Sequence, residues 1–450
     1  MTDDDTPWMR LLRELFGDDA ERALEELKHM GLDPQQIAEA SGLGGSPAMM
    51  DHVLAQIRGL MSQSAGEDVN WTLAHDVARG VAAQGGDPTV SAATASEYRQ
   101  AVSRAELWLD AATDFDPSRL EPHVWSRAEW VEATMPTWRV LAGPVAVSVS
   151  TALNSVLHAE ADYGSDLGSD EPASRGLLGS VAPTVCGMHM GQAAGQAALE
   201  AFGGTDLGIP LISPPRVVLV PSVISQFSAG LDVPAEEVHA FVALREAAHV
   251  RLFNAAPWLA GQLSAAIERY AAGITIDLDA LDEAVSRAGA GDPAALQQAL
   301  TRGIFASHHT EEQAATLEQI ETWLALIEGW VDEVTTVAAA PHLPSIGALR
   351  EMMRRRRAAG GPAEDAFANL LGLDLRPRRL RDAASMWSAL TRSVGPKERD
   401  AIWSHPDLPP RPEQLADWQT WVDKRGAQED DMDAELRRIL EGEPGPTEEN

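Results

Sequence analysis

Residues 245–249 read Arg-Glu-Ala-Ala-His. A helix with His-Glu-x-x-His sets two imidazoles one turn apart, where both bind the same zinc. The glutamate beside the first then polarises the metal-bound water. Here Glu246 stands at the general-base position, His249 at the second ligand position and Arg245 at the first. Residues 245 and 249 are i and i+4 and share a helix face. The chemistry suggested is metal-assisted hydrolysis with one ligand exchanged for a guanidinium, which is always charged and cannot coordinate zinc. By themselves these five residues more commonly mark a buried histidine beside an ion-paired glutamate than an altered metal site.

A second pair lies further on. Glu328 and Asp332, in Glu-Gly-Trp-Val-Asp, are also i and i+4. A glutamate from a second helix can complete a zinc site, and an acid one turn later can orient a ligand histidine by hydrogen bonding. Alone, the pair would also suit an exposed acidic face. Arg245 is expected between Glu328 and Asp332, or paired with Glu246. In either place a fixed cation replaces a divalent one and neutralises the same carboxylates.

Other donors fit less well. His308 and His309 adjoin the second helix, but adjacent histidines point apart and suit a polar turn. Cys186 and His189 have ligand-like spacing on a helix rich in small residues, without a second pair. His239 lies too far along the helix of His249 to share a metal with it, at about 1.5 Å rise per residue. The basic runs 354–357 and 376–381 lack interleaved aromatics, so pairing with the chain's own Asp and Glu is expected.

These residues need helices to position them. Pro234, Glu236 and Glu237 suit the start of a helix over Glu237–Phe253. Thr310 and Gln313 form a capping box ahead of a long amphipathic helix over Gln313–Val337. Asn70 caps a helix from Trp71. Further helices are expected over Ser96–Leu109, from Trp125 to about Met135–Pro136, over Pro362–Leu371 and over Arg378–Leu390. Gly187, Gly191 and Gly195 line one face of another, where a second backbone can approach. Arg216–Pro221 is a short β-branched strand, and 273–279 could be a second extended piece. The expected architecture is mainly α-helical (α+β), with a small sheet beside the Arg245–His249 helix. A helical, loosely packed leader over 1–66 is expected before the domain at 67–427, and a disordered acidic tail over 428–450 after it.

The chain resembles the zincin-like metallopeptidase type 2 family of zinc-dependent metalloproteases and hydrolases. The resemblance rests on Asn70–Ala74, Trp125–Trp130, Thr205–Pro210, Ala243–Leu259, Leu326–Asp332 and Gly361–Glu364, in order along the chain. It implies a zincin-like fold, Glu246 as general base, and His249 and Glu328 as zinc ligands, with Arg245 where the first ligand belongs. The function implied is that of a zinc-dependent peptidase. The alternative is a catalytically inactive pseudo-protease that binds a peptide or protein.

Composition narrows the partners. The 450 residues hold 68 acidic and 35 basic side chains, a formal charge of −33. Such a chain is repelled by nucleic acids and anionic membranes. Hydrophobic residues, at 44%, suffice for a large core. The single cysteine, Cys186, excludes an intrachain disulfide and a multi-cysteine metal site. The start, Met-Thr-Asp-Asp-Asp, is acidic where a secretory leader is basic, so a cytoplasmic setting is expected. Val140–Leu157 and Gly179–Leu199 are uncharged but interrupted by small and polar residues, and are read as buried helices rather than membrane spans.

Overall fold

The structure, a computed structural model, describes residues 69–164, 172–273, 310–359 and 379–427. Among these it is predominantly helical, with one two-stranded sheet. In chain order the elements are α1 (Trp71–Ala82), α2 (Ala92–Leu109), β1 (His123–Val124), α3 (Arg127–Gly164), α4 (Pro172–Glu200), β2 (Val218–Leu219), α5 (Pro221–Ala229) and α6 (Ala235–Ala255). They continue with α7 (Trp258–Ala272), α8 (Glu311–Ala339), α9 (Ile346–Ala359), α10 (Leu380–Ala401), a 3-10 turn (Ile402–Ser404) and α11 (Pro412–Ala416). The expected leader and tail, the helix over Pro362–Leu371, His308 and His309, and nearly all of 273–279 lie outside the described residues.

Helix ends follow their capping residues. The Asn70 side chain accepts from the Leu73 amide at 2.9 Å and starts α1. Thr310 and Gln313 exchange hydrogen bonds across the first turn of α8, at 3.1 and 3.0 Å. Ser91 does the work of a cap for α2, which begins four residues before the expected start. Pro221 stands just beyond β2. It is the first residue of α5, where its missing N–H costs nothing.

One boundary differs from expectation. α3 does not stop near Met135–Pro136 but continues through Pro136 and Pro144. A proline inside a helix removes a hydrogen bond and costs about 3 kcal/mol. Here Met135, Trp138, Leu141, Ala142 and Val145 are all buried on either side of the two prolines. Packing of α3 against α4 and α7 outweighs the local penalty.

The glycine face of α4 lies against α1. A Cβ on Gly187 would strike the Asn70 carbonyl, and one on Gly191 would strike Ala74 and Val77. Gly195 meets Val81 in the same way. No helix among the described residues is long and apolar enough to cross a membrane.

The centre of the molecule is α6. It packs on α2, α5, α8, α9 and β2, and every residue from Ala240 to Phe253 is buried. Its apolar residues therefore do not form one stripe. They surround the helix, as in a helix enclosed by the core. Strands β1 and β2 pair in parallel, His123 opposite Val218 and Val124 opposite Leu219. The sheet sits beside α6, where it was expected.

Candidate functional site

Two anchors fix the helices that carry the site. On α6, Arg251 donates to Glu106 Oε2 at 2.7 Å, to Asp110 Oδ1 at 2.7 Å and to the Phe115 carbonyl at 2.9 Å, tying the helix to α2. On α8, Trp387 Nε1 donates to the Leu326 carbonyl at 2.9 Å. Gly329 lets the backbone of α10 come close, since a Cβ there would meet Ala383 at 2.8 Å. Trp330 Nε1 reaches Asp400 at 2.8 Å. These contacts set the rotation of α8, and with it the direction of Glu328.

Arg245 and His249 project from α6 toward Glu328 of α8. Arg245 Nη2 donates to Glu328 Oε2 at 2.6 Å, and His249 Nε2 lies 3.1 Å from Glu328 Oε1. The other ring nitrogen, His249 Nδ1, lies 2.9 Å from the Arg245 carbonyl. A carbonyl can only accept, so Nδ1 donates. Arg357 of α9 adds a third contact, donating to Glu328 Oε1 at 3.0 Å. Burial alone would push the Glu328 carboxyl up, but Arg357 and Arg245, then His249, outweigh it and hold it well below the usual carboxylate range.

Asp332 points elsewhere. Arg350 grips both its oxygens, at 2.7 to 2.9 Å, and Arg354 adds a bond at 2.7 Å. Arg245 does not lie between Glu328 and Asp332; it bonds Glu328 alone of the two. Pairing with Glu246 is not seen either.

Glu246 is surrounded by donors. Its oxygens accept from the Gly204 amide at 2.7 Å, the Thr205 hydroxyl at 2.5 Å, the Thr205 amide at 3.3 Å and the Val218 amide at 3.4 Å. Gly203 and Gly204 make this approach possible, because a Cβ on Gly203 would overlap the Glu246 carboxyl. Burial pushes the Glu246 carboxyl up, against the opposing pull of Thr205, His249 and Gly204. The side chain fastens 203–205 and strand β2 to α6.

Three residues join the site that the motif did not point to. Asp206 takes Arg356 and Arg357, each at 3.3 Å, and Arg356 lies 4.0 Å over the Phe202 ring. Burial raises the Asp206 carboxyl, but Arg356, Arg357 and the Phe202 amide overcome it and leave it lowered. The turn that presents Asp206 closes with Gly208 N to Thr205 O at 2.8 Å, and Gly208 has φ 74°, a value that favours glycine. The signals were present, in the basic run 354–357 and in the 205–210 segment. Their meeting point was not legible, because it depends on how α9 folds back on α8.

The run 354–357 is entirely paired within the chain: Arg354 to Asp332, Arg355 to Glu351, Arg356 to Asp206, and Arg357 to Asp206 and Glu328. Arg379 of the second run reaches Glu318 at 3.6 Å. Cys186 and His189 are half-buried on α4. His239 contacts Glu97 and Tyr98 on α2.

The donor set does not fit zinc. Among the described residues no three His, Cys, Asp or Glu side chains are grouped to hold a metal. His249 and Glu328 give two donors. The third position carries a guanidinium, and a second guanidinium contacts the same carboxylate. Two cations within hydrogen-bond distance of Glu328 oppose a third, divalent one.

The described fold is predominantly helical, with a Glu-x-x-His segment on α6 facing a glutamate on α8. The chain belongs to the zincin-like metallopeptidase family, whose model matches residues 69–422. Among solved structures it is similar to one from Chloroflexus aurantiacus, described as a candidate hydrolase with a novel fold. The two share 19% identity and a TM-score of 0.55, over 79% of this chain and 98% of the other. At that identity the likeness concerns the fold alone. Comparison with curated proteins finds no match.

Proposed function

We propose that this chain is a metal-independent member of its family, a pseudo-protease on a zincin-like fold whose cleft recognises a peptide or protein. The observation that carries the reading is the 2.6 Å bond from Arg245 to Glu328. Arg245 supplies positive charge to the carboxylate expected to hold zinc, and does so from the position of the missing ligand. Glu246 supports the same reading. A general base must present a free oxygen to a water molecule. Both Glu246 oxygens instead accept from backbone and Thr205 donors. Asp332, engaged by Arg350 and Arg354, does not orient His249.

Family membership favours the other reading, a zinc-dependent hydrolase completed by a ligand from elsewhere. Metal analysis of chain purified without chelator decides between them. The expected result is zinc far below one ion per chain, and no cleavage of denatured casein with zinc added. One tightly bound zinc per chain overturns the proposal. Arg245→His is a second probe: zinc binding gained by that variant alone means that Glu328 and His249 remain positioned as ligands.

A further inference from the structure

Helix α9 lies across the site and is held there mostly by charge. Among its described side chains only Leu349 and Met353 are both apolar and buried. In α6, by contrast, every residue from Ala240 to Phe253 is buried. The rest of the hold on α9 is arginine. Arg350 and Arg354 grip Asp332, Arg356 and Arg357 reach Asp206, and Arg357 also reaches Glu328. Arg356 donates in addition to the Glu200 carbonyl at 2.7 Å. Ion pairs open to water hold weakly, and the side chains of Arg350, Arg354 and Arg356 are 26%, 30% and 27% exposed.

The closed arrangement is also imperfect. Arg354 Nε and Arg356 Nη1 are buried with no hydrogen-bond partner among the described residues. A buried donor without an acceptor is costly, and lifting α9 would return both to water. The connection before α9 suits a pivot. It spans residues 340–345, and its place is fixed by the buried Leu343 and by the Ser345 amide, which donates to Glu237 Oε2 of α6 at 2.8 Å. A few such residues between packed elements can absorb the rotation of a lid.

Met353 of α9 forms one wall of the cleft, with Phe202, Asp206, Val242, Arg245 and His249 around it. Closed in this way, the cleft has room for about one water molecule and none for a peptide. We infer that α9 is a lid, latched by its arginines, that swings as a unit about 340–345 and must open before the cleft is reached. Glu328 keeps Arg245 and His249 when α9 lifts, so the junction of α6 with α8 survives the motion. That the opening admits a peptide rests on the proposed function; the motion itself does not.

The test is hydrogen–deuterium exchange of the full chain, read by mass spectrometry at about 0.05 and about 0.5 M NaCl. The central amides of α9 are expected to exchange together, at least about tenfold faster than those of α6 and α8. Salt is expected to speed them at least about twofold by screening the latch, and to leave α6 and α8 unchanged. Exchange of α9 at the same rate as α6 and α8 overturns the inference, and so does fast exchange confined to its last turn, which is fraying. The double variant Arg350→Gln, Arg354→Gln is expected to speed α9 alone. Equal acceleration of all three helices means loss of global stability and overturns the latch. Access is read by alkylation of Val242→Cys in a Cys186→Ser background, expected to rise with salt by the same factor as α9 exchange. Alkylation unmoved while α9 opens overturns the gating of the cleft. Zinc content separates the two proposals. One zinc per chain with fast exchange of α9 sinks the pseudo-protease alone, and absence of zinc with α9 exchanging as core sinks the lid alone.

Discussion

Arg245 and Glu328 lie 83 positions apart and meet through a 2.6 Å hydrogen bond between Nη2 and Oε2, both side chains more than nine-tenths buried. The bond joins α6 to α8. The remaining contacts of Glu328, to Arg357 and His249, bring α9 and a second turn of α6 into the same junction.

Arg245→Met should therefore lower stability without abolishing the fold. Glu328 keeps Arg357 and His249, so the loss should be about 1–3 kcal/mol, the range for a buried charge-assisted hydrogen bond. Arg350→Met should cost under about 1 kcal/mol, because Arg350 is a quarter exposed and Arg354 still holds Asp332. Urea denaturation of the two variants measures the difference. Equal losses would mean that the Arg245 bond contributes no more than a surface pair.

Glu246→Gln should be destabilising by about 2–3 kcal/mol, since an amide NH2 turned toward buried N–H donors leaves them unsatisfied. A glutamate kept only for catalysis would tolerate the change. Thermal unfolding of Glu246→Gln checks this, and an unchanged Tm would show that the tie to 203–205 and β2 carries no weight.

Acid should be resisted. Glu328 and Asp206 are both lowered in the folded chain. A lowered carboxyl contributes stability that is present above its unfolded value, about 4. That contribution is lost as pH falls through the folded value. Unfolding followed by circular dichroism should thus show little loss from these two groups down to about pH 4. Arg245→Met should move the acid midpoint upward, because Glu328 then takes up its proton earlier. A midpoint unmoved by the substitution would refute the electrostatic role of Arg245.

The seam between α1 and α4 offers a test of packing. Gly191→Ala places a methyl against the Ala74 carbonyl and Val77. Overpacking of this kind costs about 1–3 kcal/mol. Gly261→Ala, on α7 with no atom near the added Cβ, should instead gain up to about 1 kcal/mol from helix propensity. Opposite signs in chemical denaturation are the expected outcome.

Much of this molecule was legible in residue types. Asn70, Thr310 and Gln313 marked helix starts because a cap is a local device, fixed by three or four neighbouring residues. The glycines at 187, 191 and 195 announced a close helix contact, though not its partner α1. The Pro136 boundary failed because local propensity yielded to burial around Trp138 and Leu141. Strand β1 is two residues long and has no period to read. Around Glu328, spacing identified Arg245 and His249, residues on one helix face. Asp206, Arg356 and Arg357 arrive from two other segments, and nothing in their spacing encodes that meeting. Asp332 had the right spacing for one partner and found another, because Arg350 and Arg354 lie one turn apart on α9 and reach it together.

A zinc ion is acquired, exchanged and lost, and a site built on one depends on supply. The group that meets Glu328 here is covalently part of α6. It cannot be stripped by a chelator or mis-filled by a competing ion, and its stoichiometry is fixed when the chain is made. On the metal-free reading proposed above, joining α6 and α8 through Arg245 makes that junction indifferent to the metal content of its surroundings.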